Sequence, residues 1–148
     1  MRLASVDLSW QLWALGAALM AACTAVLSKL GIAGIDPNLA TLLRTLVVAV
    51  VLTAVLAFSG QLQAVPLHSL PRRSLLALAL AGLATGLSWL CYFQALKLGP
   101  VAGVASIDKL SVPLVALLGA LWLGESLSPA AWIGVLLMGA GAALVAWP

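Results

Sequence analysis

The sequence predicts an all-α integral membrane protein with five transmembrane helices in one bundle. Of its 148 residues, 64% are apolar and only 7% are charged, whereas soluble domains carry about 25% charged residues. The mean hydropathy is +1.19. Five apolar stretches, residues 8–30, 39–58, 74–96, 101–123 and 130–146, each approach the roughly 20 residues that cross a hydrocarbon core at about 1.5 Å per residue. Lipid offers no partner to backbone N–H and C=O groups, so stretches this long and uniformly apolar must be helices rather than barrel strands. Little chain is left over, and a single five-helix domain spanning 1–148 is expected.

The first stretch carries Trp10 and Trp13 near its start and Lys29 near its end. Met20-Ala-Ala-Cys23 loosely resembles a lipoprotein cleavage box. The apolar run continues past Cys23 to Leu30, however, and Asp7 weakens a positive leader, so the segment is read as a retained helix. The second stretch follows Asp36-Pro37, an N-cap followed by a proline suited to the first helical position. Pro71 precedes the third, and Gly99-Pro100 divides the third from the fourth, a glycine stop followed by a proline start. Ser128-Pro129 opens the fifth. Pro113 lies inside the fourth, where it should kink the helix and free a carbonyl.

Call the face holding the N-terminus side A and the other side B. Loops and termini place Arg2, Arg72 and Arg73 on side A and only Lys97 on side B, which favours a cytoplasmic N-terminus. Lys29 and Arg44 lie near the B ends of their helices, and counting them gives three basic residues on each side. Insertion in both orientations is therefore open. Trp10, Trp13, Trp122 and Trp132 fall near side A and Trp147 near side B, as interfacial tryptophans do.

Ionisable residues within the membrane are the candidate site, because a charge at bilayer depth costs about 2.5–3.5 kcal/mol on insertion scales. Arg44 should lie about 9 Å in from Asn38, and Asp108 about 12 Å in from Pro100. If helices two and four are neighbours, the two can pair. Lys109 should point about 100° away from Asp108 and need another partner or a water-filled cavity. Trp89 and Tyr92, three apart, share a face and are candidate lining with Ser106 and Ser111. Lys29 can snorkel to side B, and Glu125 should be solvated or attached to Arg72 or Arg73. Two readings stay open for the charges: a substrate or coupling site opened by Pro113, or an ion pair that only fixes packing.

Other classes find little support. The scattered basic residues make no nucleic-acid face, Cys23 and Cys91 have no metal-ligand spacing, and no metal or cofactor is expected. Ser106-Ile-Asp-Lys109 matches S-x-x-K, but its companion motifs are absent. The only histidine, His68, falls in the loop after helix two.

Tyr92-Phe-Gln-Ala-Leu-Lys-Leu-Gly99, Ile107-Asp-Lys-Leu-Ser111 and Leu123-Gly-Glu125 resemble the EamA-type domain of the drug/metabolite transporter superfamily, and more narrowly its small five-helix bacterial and archaeal transporter family. Trp13-Ala-Leu, Lys29-Leu-Gly, Asp36-Pro-Asn-Leu-Ala-Thr and Leu43-Arg-Thr45 fit the same pattern, while Ser106 stands where proline is expected. The resemblance implies a single EamA-type half in a bacterial or archaeal inner membrane, carrying a small-molecule solute by alternating access. By analogy with relatives built from two inverted halves, it implies an antiparallel homodimer. Arg44, Asp108 and Lys109 are the residues expected to bind or couple, with Trp89, Tyr92 and Ser111 as lining and Pro113, Lys29 and Glu125 in structural roles. Three embedded basic residues against one acid point to an anionic or carboxylate-bearing solute. Helix one has no acid after Asp7, unlike the smallest multidrug members, which rely on a glutamate there. The alternative is a non-transporting scaffold or a half-subunit of a heteromeric transporter.

Overall fold

The computed structural model describes residues 9–61 and 71–147; Arg2, Asp7 and His68 lie outside them. The helices are α1 (Ser9–Gly31), α2 (Pro37–Phe58), α3 (Arg72–Leu98), α4 (Val101–Asp108), α5 (Ser111–Trp122) and α6 (Pro129–Ala146). Five spans are long and apolar enough to cross a membrane, α4 and α5 together making the fourth.

The expected starts follow from local chemistry. The Asp36 carboxylate accepts the N–H groups of Asn38 (2.9 Å) and Leu39 (3.2 Å), and Pro37 begins α2. Ser128 Oγ accepts the Ala131 N–H at 3.2 Å, and Pro129 begins α6. Pro71 and Pro100 instead occupy the N-cap positions, where they set extended backbone without a side-chain cap. Gly99 does not end α3 through a left-handed turn: its φ is −121°. A glycine serves there for space, because a Cβ would meet Val104 Cγ2 at 3.2 Å. Left-handed glycines do turn the chain at Gly34 (φ 82°) and Gly124 (φ 69°).

The fourth span departs from a plain kink: it breaks at residues 109–110 into two helices. Pro113 has no N–H to give the Lys109 carbonyl four residues back. That carbonyl accepts the Val112 N–H instead (3.0 Å), and Leu110 N–H turns to the Ile107 carbonyl (2.9 Å). The three-residue hydrogen bonds tighten the backbone and separate α4 from α5.

Helix α3 is central: it packs on α2, α1 and α4. Helix α1 also meets α4, and α6 supports both α4 and α5. Gly103 permits close approach of α4 to α6, since a Cβ there would lie 3.9 Å from the Ala146 Cα. Ile32, Phe93 and Leu96 form a buried apolar cluster, with Ala40, Tyr92, Val101 and Val104 packed against it. Ala25, Pro37, Thr41, Gly103 and Ala142 are also buried, and all these residues lie in the half of the bundle toward side B. Toward side A, Gly119 is the one buried position among the described residues.

Most large apolar side chains face outward, among them Val50 at 68% and Leu136 at 71% exposure, as suits a bundle whose solvent is hydrocarbon. Hydroxyls follow the same constraint. Thr41, Thr45, Thr53, Thr85 and Ser106 each donate to the carbonyl four residues back, at 2.7–2.9 Å, so their polar hydrogens are satisfied within their own helices.

Candidate functional site

Four helices converge on a polar cavity of about 200 Å³. Helix α1 supplies Ala21, Thr24 and Ala25, α2 supplies Arg44, α3 supplies Ser88, Trp89 and Tyr92, α4 supplies Asp108, and the break just after it supplies Lys109. Five of the six expected site residues thus meet: Arg44, Asp108, Lys109, Trp89 and Tyr92. Ser111 does not join them. It begins α5, is exposed, and lies beyond the break.

The expected Arg44–Asp108 pair is not formed. Helix α2 packs mainly on α3, as α4 also does, and α2 and α4 have at most a slight contact with each other. Arg44 instead lays its guanidinium over the Trp89 ring, 4.3 Å from the centroid, with the Phe93 ring at 5.7 Å. Trp89 and Phe93 lie one turn apart on α3, giving the cation an aromatic seat. Among the described residues Arg44 has no carboxylate partner, and its edge faces the cavity.

Lys109 also corrects the expectation of a separate partner. Lys109 keeps right-handed helical backbone at the end of α4 (φ −71°), but its long side chain curls back, and its Nζ donates to Asp108 Oδ2 at 3.2 Å. The expected snorkelling of Lys29 is replaced by a clamp: its Nζ donates to the carbonyls of Leu96 and Gly99 (the latter at 2.9 Å). These are terminal carbonyls of α3, where a cation also meets the negative end of the helix dipole. Glu125 reaches neither Arg72 nor Arg73; it folds over Gly119, whose Cβ would lie 2.9 Å from Glu125 Oε2. At the B end of the α2–α3 contact, Gln94 Nε2 donates to Asn38 Oδ1 at 3.4 Å.

Thr24 and Ser88 were missed from the sequence. Each is a small hydroxyl in an otherwise apolar run, and Ser88 lies one turn before Tyr92, which was the available signal. Ser106 and Lys109 do not form a nucleophile–base pair: the Ser106 hydroxyl donates to the Ala102 carbonyl at 2.7 Å, and Lys109 donates to Asp108.

Two larger spaces adjoin the cavity. A crevice of about 380 Å³ between α1 and α2 also reaches Arg44, and a groove of about 630 Å³ between α1 and α4 also reaches Tyr92, Asp108 and Lys109. The arrangement sets a ring-stacked guanidinium, an adjacent ion pair and the hydroxyls of Thr24 and Ser88 around one small space.

Comparison with known proteins places the chain by family rather than by site. Residues 8–147 match the EamA-like transporter family. The chain is 52% identical over 138 residues to a Sinorhizobium sp protein named "Uncharacterized transporter in cobO 3'region", a match covering 93% of this chain and 96% of that protein. No solved structure matches it.

Proposed function

The chain belongs to the EamA-like transporter family, and from that premise we propose that this multi-pass membrane transporter carries a small anionic, carboxylate-bearing solute through the Arg44 cavity. The observation that carries the reading is the Arg44 seat. A guanidinium stacked at 4.3 Å on Trp89, without an acid partner among the described residues, keeps its planar fork of donors free. Such a fork matches a carboxylate two bonds at a time. Asp108 and Lys109 cancel within the cavity, which leaves Arg44 as its net charge, and Thr24 and Ser88 add hydroxyl groups for orientation.

The cycle we propose is alternating access in an antiparallel homodimer. The near-equal basic residues on the two sides support dual insertion, and inverted pairs with a site near the midplane are a recurring transporter design. The cavity of about 200 Å³ is smaller than the roughly 300–1,000 Å³ of ordinary ligand sites, which suits a site whose remaining wall comes from elsewhere.

The test is solute-induced thermal stabilisation of purified chain, followed by counterflow in proteoliposomes, across matched anionic, neutral and cationic solutes. Wild type should respond to a carboxylate solute, and Arg44→Gln, present at normal levels, should not. A response confined to neutral or cationic solutes, or an Arg44→Gln variant that behaves as wild type, overturns the proposal.

A further inference from the structure

The Asp108–Lys109 pair is incompletely covered. The Lys109 side chain is 57% exposed and that of Asp108 40% exposed, although the pair lies about 12 Å inside its span. Hydrocarbon is a poor cover for an ion pair at that depth. The exposed side of the pair opens into the groove between α1 and α4, about 630 Å³ in volume. Its walls are nearly flat: Ala17, Ala18 and Ala21 on α1 face Ala102, Ala105 and Ser106 on α4. Small side chains let another helix backbone approach closely.

Charge and depth together identify the occupant. An acid and a base side by side are their own complement: rotated by a two-fold axis, the pair presents base to acid and acid to base. An axis lying in the membrane plane brings a residue opposite its own counterpart only near mid-depth. Half of a core about 30 Å thick is about 15 Å, and Asp108, Lys109 and Ala21, midway along α1, all fall close to that level. A neutral lipid chain would fill the groove and leave the charges uncovered.

We propose that the α1–α4 groove is the face on which a second copy of this chain docks, with each Asp108 paired to the partner's Lys109 across an in-plane two-fold axis. This rests on the homodimer reading above and adds the surface and the contact that complete the site. The intrachain contact at 3.2 Å is then the pairing of the separate chain, and on assembly the two such contacts of two chains are exchanged for two equivalent contacts across the axis. The partner's groove wall supplies the missing side of the Arg44 cavity, which shares Ala21, Tyr92, Asp108 and Lys109 with the groove.

The test uses full-length chain with Cys23→Ala and Cys91→Ala, oxidised in native membranes with copper phenanthroline. Ala21→Cys should form disulfide-linked dimers, while Val50→Cys, at similar depth on the outward face of α2, should not. In the Ala21→Cys background, Asp108→Asn and Lys109→Gln should each lower dimer yield roughly three- to fifteen-fold, the range of polar contacts between membrane helices. Co-expressed with different tags, the two variants should recover the mixed dimer, because one chain brings Lys109 and the other Asp108. A mixture that stays as low as either variant alone shows pairing within one chain and overturns the proposal. Links at Val50→Cys but not Ala21→Cys overturn the face while leaving a homodimer standing. No link at either position, with solubilised chain monomeric by light scattering, overturns both the face and the homodimer.

Discussion

Replacing Lys29 with methionine separates a clamp from a snorkelling lysine, because the two predict opposite signs. The substitution removes the ammonium that donates to the Leu96 and Gly99 carbonyls. Polar contacts between membrane helices average about 0.6 kcal/mol and reach about 1.7 kcal/mol. Two such bonds amount to about 1–3 kcal/mol, and a cation at a helix C-terminus adds about 0.3–1 kcal/mol. We therefore expect Lys29→Met to lose roughly 2 kcal/mol of stability. If Lys29 only reached for the interface, methionine would instead make α1 easier to insert, since lysine is among the costliest residues in a span. The assay is tryptophan fluorescence during dodecyl sulfate titration of chain purified in mild detergent. Lys29→Met should unfold at lower dodecyl sulfate, and Lys29→Arg should retain most of the stability. A Lys29→Met midpoint equal to or above wild type would refute the clamp.

Three further outcomes follow from the geometry. Gly103→Leu pushes a side chain toward the Ala146 backbone and should cost about 1–3 kcal/mol by overpacking, read in the same titration, with Gly103→Ala far milder. Pro113→Ala returns an N–H that can reach the Lys109 carbonyl, but Pro113 stands in the first turn of α5, where a proline is tolerated, so the gain stays well under the about 3 kcal/mol of a helix-interior proline. It should stabilise the chain by that smaller amount, and any loss of transport in counterflow would then come from closing the break. A cysteine added after Pro148, with Cys23 and Cys91 replaced, should be labelled from both faces of intact cells; labelling from one face alone refutes dual insertion.

The spans and their starts were legible because each boundary is set by a local rule. Asp36, Pro37, Ser128 and Pro129 act on their own backbone, and lipid demands uniform apolarity between them. Pro113 likewise announced a disturbed fourth span. The position of the break was not legible, because it depends on which carbonyls accept substitute hydrogen bonds. Which residues line the cavity could be read from polarity at depth, which brings forward Arg44, Asp108, Lys109, Trp89 and Tyr92. Partnership could not, because it depends on helix order. With α2 packed on α3 rather than on α4, Arg44 meets an aromatic ring where an acid was expected. Lys29 was misjudged for a related reason: its partners are backbone carbonyls 67 and 70 residues away, and a carbonyl leaves no mark in a sequence.

Because the apolar cluster and the Lys29 clamp both sit at one end of the helices, the bundle is a set of levers with a common pivot. A span of 22 residues such as α2 is about 33 Å long. Tilting it by about 5° around its tied end moves the far end by about 3 Å at constant helix geometry. That is the width of a water file, gained while Ile32, Phe93 and Leu96 barely shift. A tilt of that size would displace the side-A ends of the helices while leaving the packed end intact.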